Sequence, residues 1–268
     1  MPKVWMSFFL GLILIVGSGC GHKINKQALG PDEYFEYAKK KFDDGDYLEA
    51  ITDFTVIILK FSGNPVVDDA QYYLAESHFK SKEYLVAISE YQKLITDYPT
   101  SPYAPLAQFK IGLSYYKLSL RPELDQEYTY KGIREFQTFI EENPHHELKE
   151  QAEKFIRELR IKLAKKKLLA ANTYRKMGIY DSAVIYYDIV ISEYYDTPQL
   201  AEAMFWKGEC LLKLKKYTEA YNAFTVFVEK FPDHEMAGRA KERIQEIAEN
   251  LNAKENNSQA ELDEKQTH

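Results

Sequence analysis

Residues 75–99, AESHFKSKEYLVAISEYQKLITDYP, carry a small residue at Ala75, another at Ala87, an aromatic one helical turn later at Tyr91 and a proline at Pro99. The same spacing returns as Gly208, Ala220, Phe224 and Pro232. Ala38, Ala50 and Phe54 repeat the first three positions with the proline delayed to Pro65, and Ala171, Ala183 and Tyr187 do so with Pro198. A fifth copy is interrupted: Gly112 opens it, and Gly132, Phe136 and Pro144 close it after extra residues around 121–128. The opening small residues stand at 38, 75, 112, 171 and 208, a period of 37 broken by one interval of 59. Self-similarity at a fixed period of this size marks stacked structural repeats.

Each copy reads as two antiparallel helices. The small residues let the two backbones approach, and the aromatic fills the space against the next copy. Asp43-Asp44-Gly45-Asp46-Tyr47 suits the turn within a copy. Asp97-Tyr98-Pro99-Thr100-Ser101-Pro102 suits the turn between copies, with proline ending one helix and Ser or Thr capping the next. In the long interval, Leu148, Ala152, Phe155, Ile156, Leu159, Leu163 and Leu168 recur at three- and four-residue steps without a breaker, which predicts additional helix. One such unit cannot bury its apolar face alone, so stability is close to a sum over neighbouring interfaces.

Outward from the repeats, the first residues have the layout of an export signal: Lys3, an apolar run from Val4 to Val16, then Gly17, Ser18 and Gly19 before Cys20. The run is shorter than the roughly 20 residues a spanning helix needs. Ser18-Gly19-Cys20 resembles the bacterial lipobox, which implies diacylglycerol on Cys20 and cleavage just before it. The absence of Asp at position 21 then favours the outer membrane. Two or three acyl chains hold a soluble domain at a membrane durably, at roughly 0.8 kcal/mol per buried methylene. Among 268 residues the only other cysteine is Cys210, set beside Leu211, Leu212 and Leu214, and expected to be a buried small hydrophobe. The formal charge of −6 argues against a general nucleic-acid binder. The six histidines show no paired metal-ligand spacing, no phosphate-cradling loop or serine-nucleophile motif is present, and no cofactor is expected.

The helix pairs resemble the tetratricopeptide repeat, which implies an all-α, right-handed solenoid of about five repeats with a concave face for peptides or partner domains. With the lipobox and the interrupted third repeat, residues 20 to 245 resemble the BamD (YfiO) family of outer-membrane β-barrel assembly lipoproteins. Arg121-Pro122-Glu123-Leu124-Asp125-Gln126 is similar to that family's insertion motif, and Tyr98-Pro99-Thr100-Ser101-Pro102-Tyr103-Ala104 to its repeat junction. The resemblance implies a non-enzymatic scaffold at the periplasmic face of the outer membrane. Its partners would be unfolded outer-membrane proteins, a POTRA-containing barrel subunit and other assembly lipoproteins. Another periplasmic tetratricopeptide lipoprotein, such as a secretin pilotin or a cell-envelope coordinator, is the alternative, and a solenoid attached to an envelope enzyme is a third.

The expected organisation is a signal peptide at 1–19, a lipidated tether at 20–30, repeats 1–3 at 31–147, repeats 4–5 at 148–249 and a disordered polar tail at 250–268. Tyr72, Tyr73 and Tyr84 are candidates for the substrate groove, while Phe79 and Tyr91 sit at packing positions. Arg121 and Asp125 would either brace one another or dock a partner. Arg160, Lys165 and Arg175 belong to a basic run between 149 and 176, which reads either as a solvated helix face or as a contact for an acidic partner or lipid headgroups.

Overall fold

The computed structural model describes the backbone of residues 25–266 and the side chains of residues 25–251. Cys20 and the export signal lie outside the described residues. Within them there are eleven α-helices and no strand. The first unit is α1 (Pro31–Asp43) and α2 (Tyr47–Lys60); the second is α3 (Val66–Lys80) and α4 (Tyr84–Asp97). The third is α5 (Ala104–Leu118) and α6 (Glu127–Glu142), the fourth α7 (Lys149–Lys176) and α8 (Tyr180–Glu193), and the fifth α9 (Gln199–Lys213) and α10 (Tyr217–Lys230). A last helix, α11 (Ala237–Gln266), covers the end. Of the extra residues of the long interval, those around 121–128 form the loop between α5 and α6, and those after Pro144 lengthen α7 to 28 residues, as their spacing requires.

Each helix packs on its neighbours in sequence, and α1 also lies against α3, α5 against α7, and α7 against α9. First helices therefore line the inner side of the curve and second helices its outer side. The repeat signature is the core itself. Ala38, Ala50, Ala75, Ala87, Ala171, Ala183 and Ala220 are fully buried, as are Phe54, Tyr91, Phe136, Tyr187 and Phe224. Burying a large apolar side chain contributes roughly 1.5–3 kcal/mol relative to exposure. At Gly112 and Gly208 even a methyl is excluded, because an added Cβ would stand 2.8 Å from Phe136 and 2.7 Å from Phe224.

Three expectations are corrected. The helices after inter-repeat turns have no Ser or Thr side-chain cap. Before α3, α5, α7 and α11 a residue two or three places ahead of the helix closes the turn instead: Asn64 Oδ1 accepts from the Val66 amide at 3.0 Å, Ser101 Oγ from Tyr103 at 3.3 Å, His146 Nδ1 from Leu148 at 3.1 Å and His234 Nδ1 from Met236 at 3.2 Å. The tether is docked at its end. Lys26–Ala28 forms a 3-10 turn, and Lys26 Nζ bonds both carboxylate oxygens of the buried Asp53 at 2.7 and 2.8 Å. The polar tail is helical, since α11 continues to Gln266; its Ala, Glu, Lys and Gln are strong helix formers, which polarity alone does not reveal.

Candidate partner-binding surfaces

The inner face of the first three units is built on aromatic packing with polar ties. Tyr73 of α3 is half-buried and lodged between units, with its ring 5.7 Å from Phe35, 5.3 Å from Phe42 and 5.8 Å from Phe54. Lys39 Nζ stands 4.9 Å from the Tyr73 ring centroid and also pairs with Asp43 at 2.6 Å. Tyr84 meets Phe79 edge-on at 5.3 Å, and Lys110 Nζ lies 4.9 Å over the same Phe79 ring. Tyr73 and Tyr84 thus keep part of their surface exposed, as a groove residue must. Tyr72 does not: it is only 6% exposed and stacks on Tyr103 at 4.4 Å, so it belongs to the core.

Behind this face sits a buried carboxylate. Glu76 accepts from the Tyr91 hydroxyl and pairs with Lys110 Nζ at 2.6 Å. Burial, and next the Glu76 charge, push the Tyr72 and Tyr91 phenols well above their ordinary range. Both therefore stay protonated, which lets the Tyr91 hydroxyl donate to Glu76. A second polar tie recurs with the repeat: the Tyr34 hydroxyl donates to Asp53 at 3.0 Å, Gln71 Nε2 to Glu90 Oε2 at 2.9 Å and Gln108 Nε2 to Glu135 Oε2 at 3.1 Å. The equivalent acceptor positions in the last two units hold Tyr186 and Ala223, so the tie is confined to the first three.

The insertion in the third unit is held from within by Gln126. Its Nε2 donates to the Arg121 and Leu124 carbonyls at 2.8 and 3.1 Å, and its Oε1 accepts from Thr129 at 2.7 Å. Asp125 Oδ1 accepts from the Glu127 amide at 2.8 Å and so starts α6. Arg121 lies 3.8 Å from Glu123 and is 75% exposed, so Arg121 and Asp125 do not brace one another. From α7, Lys162 Nζ donates to Ser119 Oγ at 2.6 Å and Lys166 Nζ to the Leu124 carbonyl at 2.7 Å. Burial lowers the Lys162 pKa, a cost its bonds to the loop offset. The result is a fixed projection carrying exposed Leu120, Arg121 and Leu124. It is bordered by a cleft of about 290 Å3 lined by Asp125, Gln126, Glu127, Tyr130, Lys166 and Lys167.

The basic run on α7 divides by role. Arg160 pairs bidentately with Asp196 at 2.6 and 2.9 Å and donates to the Glu193 carbonyl at 2.6 Å. That pairing raises the Arg160 pKa and holds Asp196 below the usual carboxylate value. Arg175 packs 3.8 Å over the Trp206 ring and donates to the Tyr187 hydroxyl at 3.2 Å. Arg160 therefore fastens α7 to the end of α8 and the turn after it, and Arg175 fastens α7 to α8 and α9. Lys165 is exposed and, among the described residues, has no ion-pair partner, which leaves it open to a partner protein. Cys210 is 1% exposed, and burial pushes its thiol up to about 11, as suits a small hydrophobe.

The sequence pattern missed Gln126, Lys162 and Lys166 as organisers of the insertion and Lys26 as the docked end of the tether. A signal was present for the inter-helix ties, since Tyr34, Gln71 and Gln108 stand 37 apart and face an acid three places after each small residue of the second helix.

A family model described as an outer membrane lipoprotein, YfiO, matches residues 27–216. A tetratricopeptide-repeat model matches residues 202–234. Comparison with curated proteins finds no match. Similar solved structures include the TPR2AB domain of yeast Sti1 in a complex with pHSP90, at 19% identity and a TM-score of 0.43 over 82% of this chain and 84% of that one. A tetratricopeptide repeat protein from Parabacteroides merdae is 15% identical, with a TM-score of 0.36 over 81% and 73%. A thermophilic TPR protein from Thermus thermophilus is 16% identical, with a TM-score of 0.35 over 81% and 100%.

Proposed function

Because the chain belongs to the YfiO family of outer membrane lipoproteins, we propose that it is a non-enzymatic scaffold of the β-barrel assembly machinery, anchored to the periplasmic face of the outer membrane by lipid on Cys20. In this role it holds a POTRA-containing barrel subunit and other assembly lipoproteins, and receives unfolded outer-membrane proteins for insertion.

The observation that carries the proposal is the insertion of the third unit. Gln126 and two lysines of α7 consume their hydrogen bonds in fixing the loop, yet Leu120 and Leu124 remain 46% and 43% exposed beside Arg121. A loop made rigid while it displays apolar side chains is preorganised for a partner, because the ordering entropy is spent before binding. Arg121 and Lys165 add positive charge for an acidic partner surface, and Tyr73 on the inner face and Tyr84 at the turn between α3 and α4 offer aromatic rings for extended substrate segments.

The test is mass spectrometry of proteins crosslinked to the mature chain in native envelopes, with Arg121 and Asp125 intact or replaced by Ala. The proposal expects a POTRA-containing barrel protein, recovered less with the double variant. Recovery of a secretin alone, or of a peptidoglycan enzyme alone, would overturn it.

A further inference from the structure

The outward face of α2 differs from that of every other second helix. Leu48 and Leu59 are 75% and 76% exposed, and Thr52 and Val56 continue the same stripe at helical spacing. The hydroxyls of Thr52 and Thr55 turn back onto the Leu48 and Ile51 carbonyls at 3.0 and 2.7 Å, so the stripe offers no free polar group. With the units aligned on the small residue of the second helix, Leu59 corresponds to Thr96, Glu141, Ser192 and Glu229. Leu48 corresponds to Leu85, Tyr130, Asp181 and Thr218. Thr52 and Val56 correspond to Ser89 and Lys93, to Arg134 and Thr138, to Ile185 and Ile189, and to Asn222 and Val226. Only in the first unit is the stripe therefore free of a charged side chain.

That first unit is also where the N-terminal segment is fastened. Lys26 is bonded to Asp53 on the flank of α2, and Lys60 Nζ donates to the Gln27 carbonyl at 3.1 Å. Cys20 precedes Lys26 by six residues, which at full extension reach only about 20 Å. Lipid on Cys20 would keep α2, itself roughly 21 Å long, within its own length of the bilayer. The acidic turn before α2 does not repel a membrane strongly, since Lys39, Lys40 and Lys41 pair with Asp43, Asp44 and Glu49 at 2.6 to 2.8 Å.

We propose that the outer face of α2 rests on the phospholipid leaflet, with Leu48 and Leu59 entering the boundary between headgroups and acyl chains, and that the Lys26–Asp53 bond fixes this orientation. The proposal rests on the reading of Cys20 as lipidated. An apolar helical stripe lying in the interface plane is an established way for a surface helix to meet lipid.

The test uses the full lipidated chain in vesicles of phosphatidylethanolamine and phosphatidylglycerol, with an environment-sensitive fluorophore on Leu59→Cys or, as the equivalent position at the far end, on Glu229→Cys. Buried Cys210 does not compete for label. Spin-labelled lipids should quench the probe at 59 about twofold more than the probe at 229. Breaking the bond with Asp53→Asn should narrow that difference. Equal quenching in chains that float with the vesicles would overturn the proposal while leaving the anchor intact. Chains that do not float would overturn both. Shielding of the probe at 59 without vesicles, growing with protein concentration, would assign the face to a second copy and refute the lipid contact.

Discussion

Replacing Gly208 by Ala separates a generic repeat position from a specific contact. Three of the five units carry Ala at this place, so the repeat pattern alone treats the change as harmless, and helix propensity makes it favourable by about 1 kcal/mol. The structure opposes it. The new Cβ would stand 2.7, 2.8 and 3.0 Å from three atoms of the Phe224 ring, which is fully buried and packed 5.7 Å from Phe205. Overpacking of this kind costs roughly 1–3 kcal/mol, so the net effect is a loss of up to about 2 kcal/mol. Gly208→Val recovers less through propensity and should lose about 2–3 kcal/mol. Because repeat arrays unfold by neighbouring interfaces, the loss should concentrate in α9 to α11 and leave α1 to α4 protected. Hydrogen exchange resolved by segment, with urea melts for the total, measures both. An Ala variant more stable than the wild type by about 1 kcal/mol, as propensity alone dictates, would refute the contact.

Glu76→Leu should destabilise by roughly 3–5 kcal/mol, since it strands Lys110 and a buried tyrosine hydroxyl; Glu76→Met with Lys110→Met should recover much of that in the same urea melts. Asp53→Asn should cost about 1–3 kcal/mol and expose the chain to trypsin after Lys26; unchanged cleavage would show the tether to be undocked. Tyr34, Tyr103 and Tyr116 have phenols pushed up to about 12, the first two mainly by burial and Tyr116 mainly by its bond to Glu158. Their folded pKa values exceed the unfolded value of 10, so the stability they add is complete below that pH and is lost as pH rises to about 12. Urea melts across this window, beside a Tyr116→Phe variant with a shallower fall, check the sign. Arg175→Ala should remove roughly 0.5–2 kcal/mol of stacking on Trp206 and shift the fluorescence of that indole.

Periodicity carries the fold because small and aromatic residues at matched places are the packing itself. Ala87 and Tyr91 can be read as core without knowing which helix they meet, and the unbroken apolar steps from Leu148 to Leu168 can only be one long helix. The binding surface is harder to read because it depends on pairings between distant residues. Tyr72 and Tyr73 are adjacent, yet Tyr103 covers the first while the second remains half-exposed. Arg160 and Arg175 carry the same charge as Lys165, but Asp196 and Trp206, over thirty residues further on, engage them. The Lys26–Asp53 bond hides for the same reason: Lys26 lies in a stretch whose composition suits a tether, and only the buried Asp53 reveals its partner. In the tail, low hydrophobicity suggested disorder, whereas the helix propensity of the same residues favours α11.

The central claim, that this solenoid serves the assembly of outer-membrane barrels, is tested most directly by depleting the chain from cells and measuring the folded fraction of newly made outer-membrane barrel proteins by their heat-modifiable mobility. The account predicts that this fraction falls while secretin multimers and peptidoglycan composition are unchanged at first. A normal folded fraction together with loss of secretin multimers would contradict it.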